Sequence, residues 1–129
     1  MPEQQTRILI IDNDEGIVAA IAARLESIGY TCVTASTGAQ GIAAFEENDI
    51  HLVITDLNMP AGDGIELART LRKTSEVPII IVTGFRDEYL DAVKVIPHVS
   101  MMEKPFHTDQ LLDLVEAELV MAGARLPVS

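Results

Sequence analysis

The strongest constraint on this sequence is a set of short, wholly apolar runs separated by stretches of helical period. Ile8 to Ile11, Leu52 to Ile54 and Val77 to Val82 are too short for helices and lack the alternation of a strand with one wet face. They read as parallel strands buried on both sides. Ile17, Ile21, Leu25 and Ile28 recur at helical spacing and form one apolar face, and Gly29 stops that helix. Tyr30 to Ser36 reads as a second strand, Gly38 to Glu46 as a helix with Ile42 and Phe45 inward, and Ile65 to Arg72 as a helix with Ile65, Ala68 and Leu71 in register. Asp87 to Lys94 is a weaker helix and Val99 to Met102 a last strand. Thr108 caps a final helix carrying Leu111, Leu112, Val115 and Leu119, and the Leu126 to Ser129 tail is expected to fray.

This order predicts an α/β, doubly wound (βα)5 sandwich: five parallel strands with helices on both faces, because the crossovers are right-handed. Any ligand then belongs at the carboxyl ends of the strands, near a topological switch point. The 129 residues suit one domain over 1–129, large enough to form a core without disulfide or metal staples. A formal charge of -11 would repel a phosphate backbone, so no direct nucleic-acid binding is expected. Met1 to Arg7 lacks the apolar stretch of a signal peptide and no run is long enough to cross a membrane, so no membrane association and a cytoplasmic location are expected. The lone Cys32 excludes an intramolecular disulfide and reads as a small core residue.

Four polar residues fall at predicted strand ends: Asp12 after the first, Asp56 at the third, Thr83 at the fourth and Lys104 at the fifth. Clustered carboxylates repel one another unless a cation sits among them, and hard oxygen ligands select Mg²⁺ or Mn²⁺. A central carboxylate can attack a phosphoryl group to give an acyl phosphate, while a metal and an ammonium neutralise the equatorial oxygens. Each residue alone has a plainer reading: a strand-end Asp as a turn or cap, Lys-Pro as a loop, Thr83 as a cap for the turn before Asp87. Asp14 and Glu15 favour the following helix N-terminus. His51, His98 and His107 share no metal-like spacing and are assigned no chemistry.

Together, IIDNDEG at 10–16, ITDLNMPAGDG at 54–64, IVTGF at 81–85 and MEKPF at 102–106 resemble the receiver domains of two-component response regulators, over about residues 6–121. The resemblance implies a CheY-like, flavodoxin-like sheet with strand order 2-1-3-4-5. It implies that Asp56 is the phosphoacceptor, that Asp12, Asn13, Asp56 and the carbonyl of Asn58 hold the metal, and that Thr83 and Lys104 contact the phosphoryl group. Pro105 would follow a peptide bond that is commonly cis in this family, aiming the lysine into the pocket. The implied donor is a phosphohistidine on a sensor histidine kinase or histidine phosphotransfer protein. The output would act through an effector protein that the sequence does not name, and a phosphorylation-dependent homodimer is one form it could take.

Two positions depart from the family pattern. Asn13 stands where a second acid is usual, which predicts weaker divalent-cation binding. Met101 stands where Tyr or Phe is usual, so the aromatic half of the switch is replaced by a flexible thioether, and Met101 and Met102 are candidates for adaptable partner contacts. Both departures leave open a pseudo-receiver that binds partners without phosphorylation. Asp12-x-Asp14 also resembles the start of haloacid-dehalogenase-type phosphatases, but those need a further acidic pair beyond their lysine.

Overall fold

The wholly apolar runs form the middle of a sheet, as their lack of alternation requires. In the computed structural model, which describes residues 6–57, 64–84 and 86–123, the strands are β1 (Arg7–Ile11), β2 (Thr31–Ala35), β3 (Leu52–Asp56), β4 (Ile79–Thr83) and β5 (Val99–Glu103). The helices are α1 (Glu15–Ser27), α2 (Gly38–Glu47), α3 (Gly64–Arg72), α4 (Arg86–Lys94) and α5 (Thr108–Met121). The strands are all parallel, in the order β2-β1-β3-β4-β5.

Successive strand residues point to opposite faces, so each strand feeds two cores. Ile8 and Ile10 join Ile54 and Ile80 beneath α1 and α5, against Ile21, Leu25, Leu111, Val115 and Leu119. Leu9 and Ile11 join Val53, Ile79 and Ile81 on the other face, against Leu67, Ala68 and Leu71 of α3 and Val93 of α4. Each of these buried side chains contributes about 1.5–3 kcal/mol relative to exposure, and the one polar side chain inside a central strand, that of Thr55, has its hydroxyl satisfied by donating to Asp56 O at 3.0 Å. The edge strand β5 is only half-buried.

Helix ends explain where the periodicity misleads. Gly29 adopts φ 109, a left-handed conformation that suits glycine. Its N–H donates to Glu26 O at 3.1 Å and the Tyr30 N–H to Leu25 O at 3.2 Å, closing α1 in a Schellman arrangement. Ile28 is therefore the cap rather than a fourth core residue, and is 36% exposed. Thr108 proves to be the first residue of α5, not its cap. The cap is His107, whose backbone N–H donates to Gln110 Oε1 at 3.0 Å. Leu67 is buried beside Ile65, Ala68 and Leu71, a residue more than the predicted face.

Cys32 is half-buried and burial, with Glu26 nearby, pushes its thiol up to about 12. His51 Nδ1 accepts from the Arg7 N–H at 2.9 Å, while His98 Nε2 lies 3.5 Å from Glu76 Oε1, so the histidines serve separate local contacts. Among the described residues no helix is long and apolar enough to cross a membrane. The Leu126 to Ser129 tail lies outside the described residues.

Candidate functional site

Parallel register brings the strand-end residues together as a staircase. Ile11 pairs with Thr55, Asp56 with Val82 and Thr83 with Glu103, so Asp12, Asp56, Thr83 and Lys104 emerge at one edge. Main-chain bonds continue the ladder into the loops: Asp12 N–H to Ala35 O at 3.1 Å, Leu57 N–H to Val82 O at 3.0 Å and Lys104 N–H to Thr83 O at 2.9 Å. These bonds fix the backbone from which the polar side chains project.

The centre of the site is an ammonium between two carboxylates. Lys104 Nζ donates to Asp56 Oδ1 at 3.3 Å and lies 3.9 Å from Asp12 Oδ2. The Asp12 and Asp56 side chains are 8% and 11% exposed and that of Lys104 31%, so the three charges meet largely out of water. Their interaction is correspondingly stronger than on a surface. Burial raises the Asp12 carboxyl above its ordinary value; the Asp14 amide hydrogen bond opposes this, Asp56 adds to it, and Lys104 opposes it. The Lys104–Pro105 peptide is cis.

Other expected members sit differently. Asp12 Oδ1 accepts from the Asp14 N–H at 2.9 Å, which turns the chain into α1. Asp14 Oδ1 caps α1, accepting from the Gly16 and Ile17 N–H groups at 3.0 and 3.2 Å, as its position before the helix predicts. Asn13 is exposed. Thr83 is fully buried at the end of β4. Met101 is half-buried in the apolar cluster on the α4 side, near Tyr89 and Ala92, and Met102 packs on the opposite face. Both methionines keep part of their surface on the edge strand β5. Asn58 lies outside the described residues.

Two groups near the site gave weaker sequence signals. Thr55 is fully buried and its Oγ1 donates to Asp56 O at 3.0 Å. Gly64, the last residue of the ITDLNMPAGDG stretch, donates its N–H to Leu57 O at 2.9 Å, and a Cβ built on it would stand 2.6 Å from Asp56 O. A glycine at a helix start after a strand-end acid was the available signal for this close approach.

The donor set suits a hard divalent cation. Two buried carboxylates share one ammonium, which leaves excess negative charge in a water-poor setting. Among the described residues no three His, Cys, Asp or Glu side chains converge, so a cation here would complete its shell with carbonyl oxygen or water.

Comparison with known proteins gives this geometry its context. The family model "Response regulator receiver domain" matches residues 8–116. The chain belongs to the response-regulator receiver family. It is 32% identical over 122 residues to Transcriptional regulatory protein GlrR of Escherichia coli (strain K12), covering 92% of this chain and 27% of GlrR. It is 33% identical over 125 residues to YkoG of Bacillus subtilis (strain 168), an uncharacterized transcriptional regulatory protein, covering 95% of this chain and 54% of YkoG. The chain thus spans about a quarter to about half of the length of these relatives.

Among solved structures, a response regulator receiver domain protein from Clostridium thermocellum superposes with a TM-score of 0.83 at 28% identity, covering 92% of this chain and 97% of that one. Chemotaxis response regulator CheY4 of Vibrio cholerae superposes with a TM-score of 0.82 at 24% identity, covering 89% and 99%, and shows the same fold. The receiver fold of the family is the β2-β1-β3-β4-β5 sheet described above.

Proposed function

We propose that this receiver domain accepts a phosphoryl group on Asp56, donated by a phosphohistidine of a sensor histidine kinase or histidine phosphotransfer protein. The observation that carries this reading is the Lys104 ammonium between the carboxylates of Asp56 and Asp12, at 3.3 and 3.9 Å. A carboxylate oxygen of Asp56 attacks phosphorus, the phosphorus–nitrogen bond of the donor breaks, and the imidazole leaves with the electron pair and takes up a proton. The product is an acyl phosphate.

In this reading Lys104 neutralises an equatorial phosphoryl oxygen and the Thr83 hydroxyl, at the end of β4, contacts another. Asp12, Asp56, Asn13 and the carbonyl of Asn58 are the residues that would hold Mg²⁺ or Mn²⁺, which supplies charge neutralisation during transfer. Phosphate then biases two conformations that present different surfaces to an effector protein. Residues 1–129 act in this reading as one receiver unit in the cytoplasm, as a signalling domain rather than a turnover enzyme.

The exposed, neutral Asn13 and the core-packed Met101 favour a second reading, a pseudo-receiver that binds its partner without phosphate. Beryllofluoride, a phosphoryl mimic, separates the two. With Mg²⁺ it should shift the backbone amide resonances of Thr83 and Lys104 in wild type and not in Asp56→Asn. Unchanged wild-type spectra at saturating beryllofluoride would favour the pseudo-receiver.

A further inference from the structure

At the edge of the sheet opposite Asp56, where β4 and β5 begin, a groove of about 330 Å³ is lined by Glu76, Pro78, His98, Glu118, Met121 and Ala122. Two of its walls are acidic and one is apolar. Glu118 is half-buried and has no ion pair among the described residues, and Glu76 has only the imidazole of His98, at 3.5 Å. The Arg72 guanidinium does not serve as its hydrogen-bonded partner: Nη1 donates to Ser75 O at 2.8 Å and Nη2 to His98 O at 3.3 Å. Met121, on the same wall of α5 as Glu118, is 83% exposed.

We propose that this groove is the docking site of the chain's own residues 124–127, with the Arg125 guanidinium against Glu118 and Glu76 and Leu126 on Met121.

Three observations select this occupant. The first is position. Met121 and Ala122 line the groove, and Gly123, at φ 79, turns the chain off the α5 axis there, its N–H donating to Val120 O at 3.0 Å. Arg125 is three residues beyond Ala122, within about 11 Å of extended chain, so the tail begins at the rim of the groove it fills. The second is charge. In a chain of net charge -11 with nine Lys and Arg, the one cation of residues 124–129 falls next to two acids that lack a strong partner. The third is shape: an arginine followed by a leucine matches a groove with carboxylates on its walls and an exposed thioether at its rim, because the guanidinium forms paired hydrogen bonds to carboxylates while apolar neighbours cover apolar surface. Docked in this way, the tail ties the end of α5 to the starts of β4 and β5 and sets the direction in which the chain leaves the domain.

The test is paramagnetic relaxation in the full chain, with a nitroxide on Ser129→Cys in a Cys32→Ala background at low ionic strength. The Val77 and His98 amide signals, remote from the label in sequence, should lose intensity relative to the same sample with the label reduced. Arg125→Glu should recover much of that intensity, and high salt should act in the same direction on the wild-type tail. Adding Glu118→Arg to Arg125→Glu should bring the loss back, which a tail that merely hangs near the groove would not do. Glu116→Arg with Arg125→Glu is the control, since Glu116 is exposed on α5 and does not line the groove. Equal signals for the wild-type tail and Arg125→Glu would overturn the proposal, as would a charge swap at 118 that restores no more than the one at 116. The amide spectrum of each variant away from the groove reports that the domain is folded, so a lost contact is not mistaken for a lost fold.

Discussion

Replacing Gly64 by alanine should destabilise the domain through the backbone of the proposed phosphoacceptor, although alanine is ordinarily the better helix former. The added Cβ would stand 2.6 Å from Asp56 O, 3.2 Å from Leu57 Cα and 3.4 Å from Asp56 C. All three atoms are backbone, so no rotamer change relieves the contact; α3 or the end of β3 must move. Overpacking of this kind costs about 1–3 kcal/mol, against a helix-propensity gain of up to about 1 kcal/mol. The net loss is about 1–2 kcal/mol, which at about 4 °C per kcal/mol for a domain of this size lowers Tm by about 4–8 °C. Gly38 is a matched control: it is likewise the first residue of its helix, and a Cβ there meets nothing within 4 Å. Gly38→Ala should leave Tm unchanged or raise it by about 2–4 °C. Differential scanning calorimetry of the pair decides the matter. A Gly64→Ala protein melting at or above wild type would refute the close-packing argument.

Other consequences follow from the charges and the core. Burial raises the Asp12 carboxyl in the fold, so its ionisation removes stability as pH rises through the folded-state value. Asp12→Asn should therefore raise Tm at pH 7 without divalent cation, and the gain should vanish below about pH 4, where the carboxyl is protonated in the unfolded chain as well. A gain that grew towards acid would contradict this. Cys32, with its thiol pushed up to about 12, should resist iodoacetamide at pH 8 in the folded protein and react fully in denaturant; rapid native labelling, followed by mass spectrometry, would show the thiol is not so buried.

The central strands were legible because burial on both faces leaves an unbroken apolar run, as at Ile8 to Ile11. The candidate cluster was legible for a related reason: Asp12 and Thr83 each follow an unbroken buried apolar run, whereas Asp56 and Lys104, preceded by Thr55 and Glu103, gained their meaning only from the matching strand-end positions. Periodicity failed at α1, where Ile28 keeps the helical spacing although Gly29 has already turned the chain away. The α5 cap was misplaced by one residue because Thr is the commoner cap, whereas the local hydrogen bond runs from the His107 N–H to Gln110. Leu67 was missed because α3 buries more than one apolar stripe.

The most direct test of the central claim is the intact mass of wild type and Asp56→Asn after treatment with acetyl phosphate and Mg²⁺ at matched protein concentration. The account predicts a gain of one phosphoryl group in wild type, lost on brief alkaline treatment as an acyl phosphate is, and no gain in Asp56→Asn. The same gain in both proteins would place the phosphate elsewhere, and no gain in either, with Mg²⁺ saturating, would contradict a phosphoacceptor role.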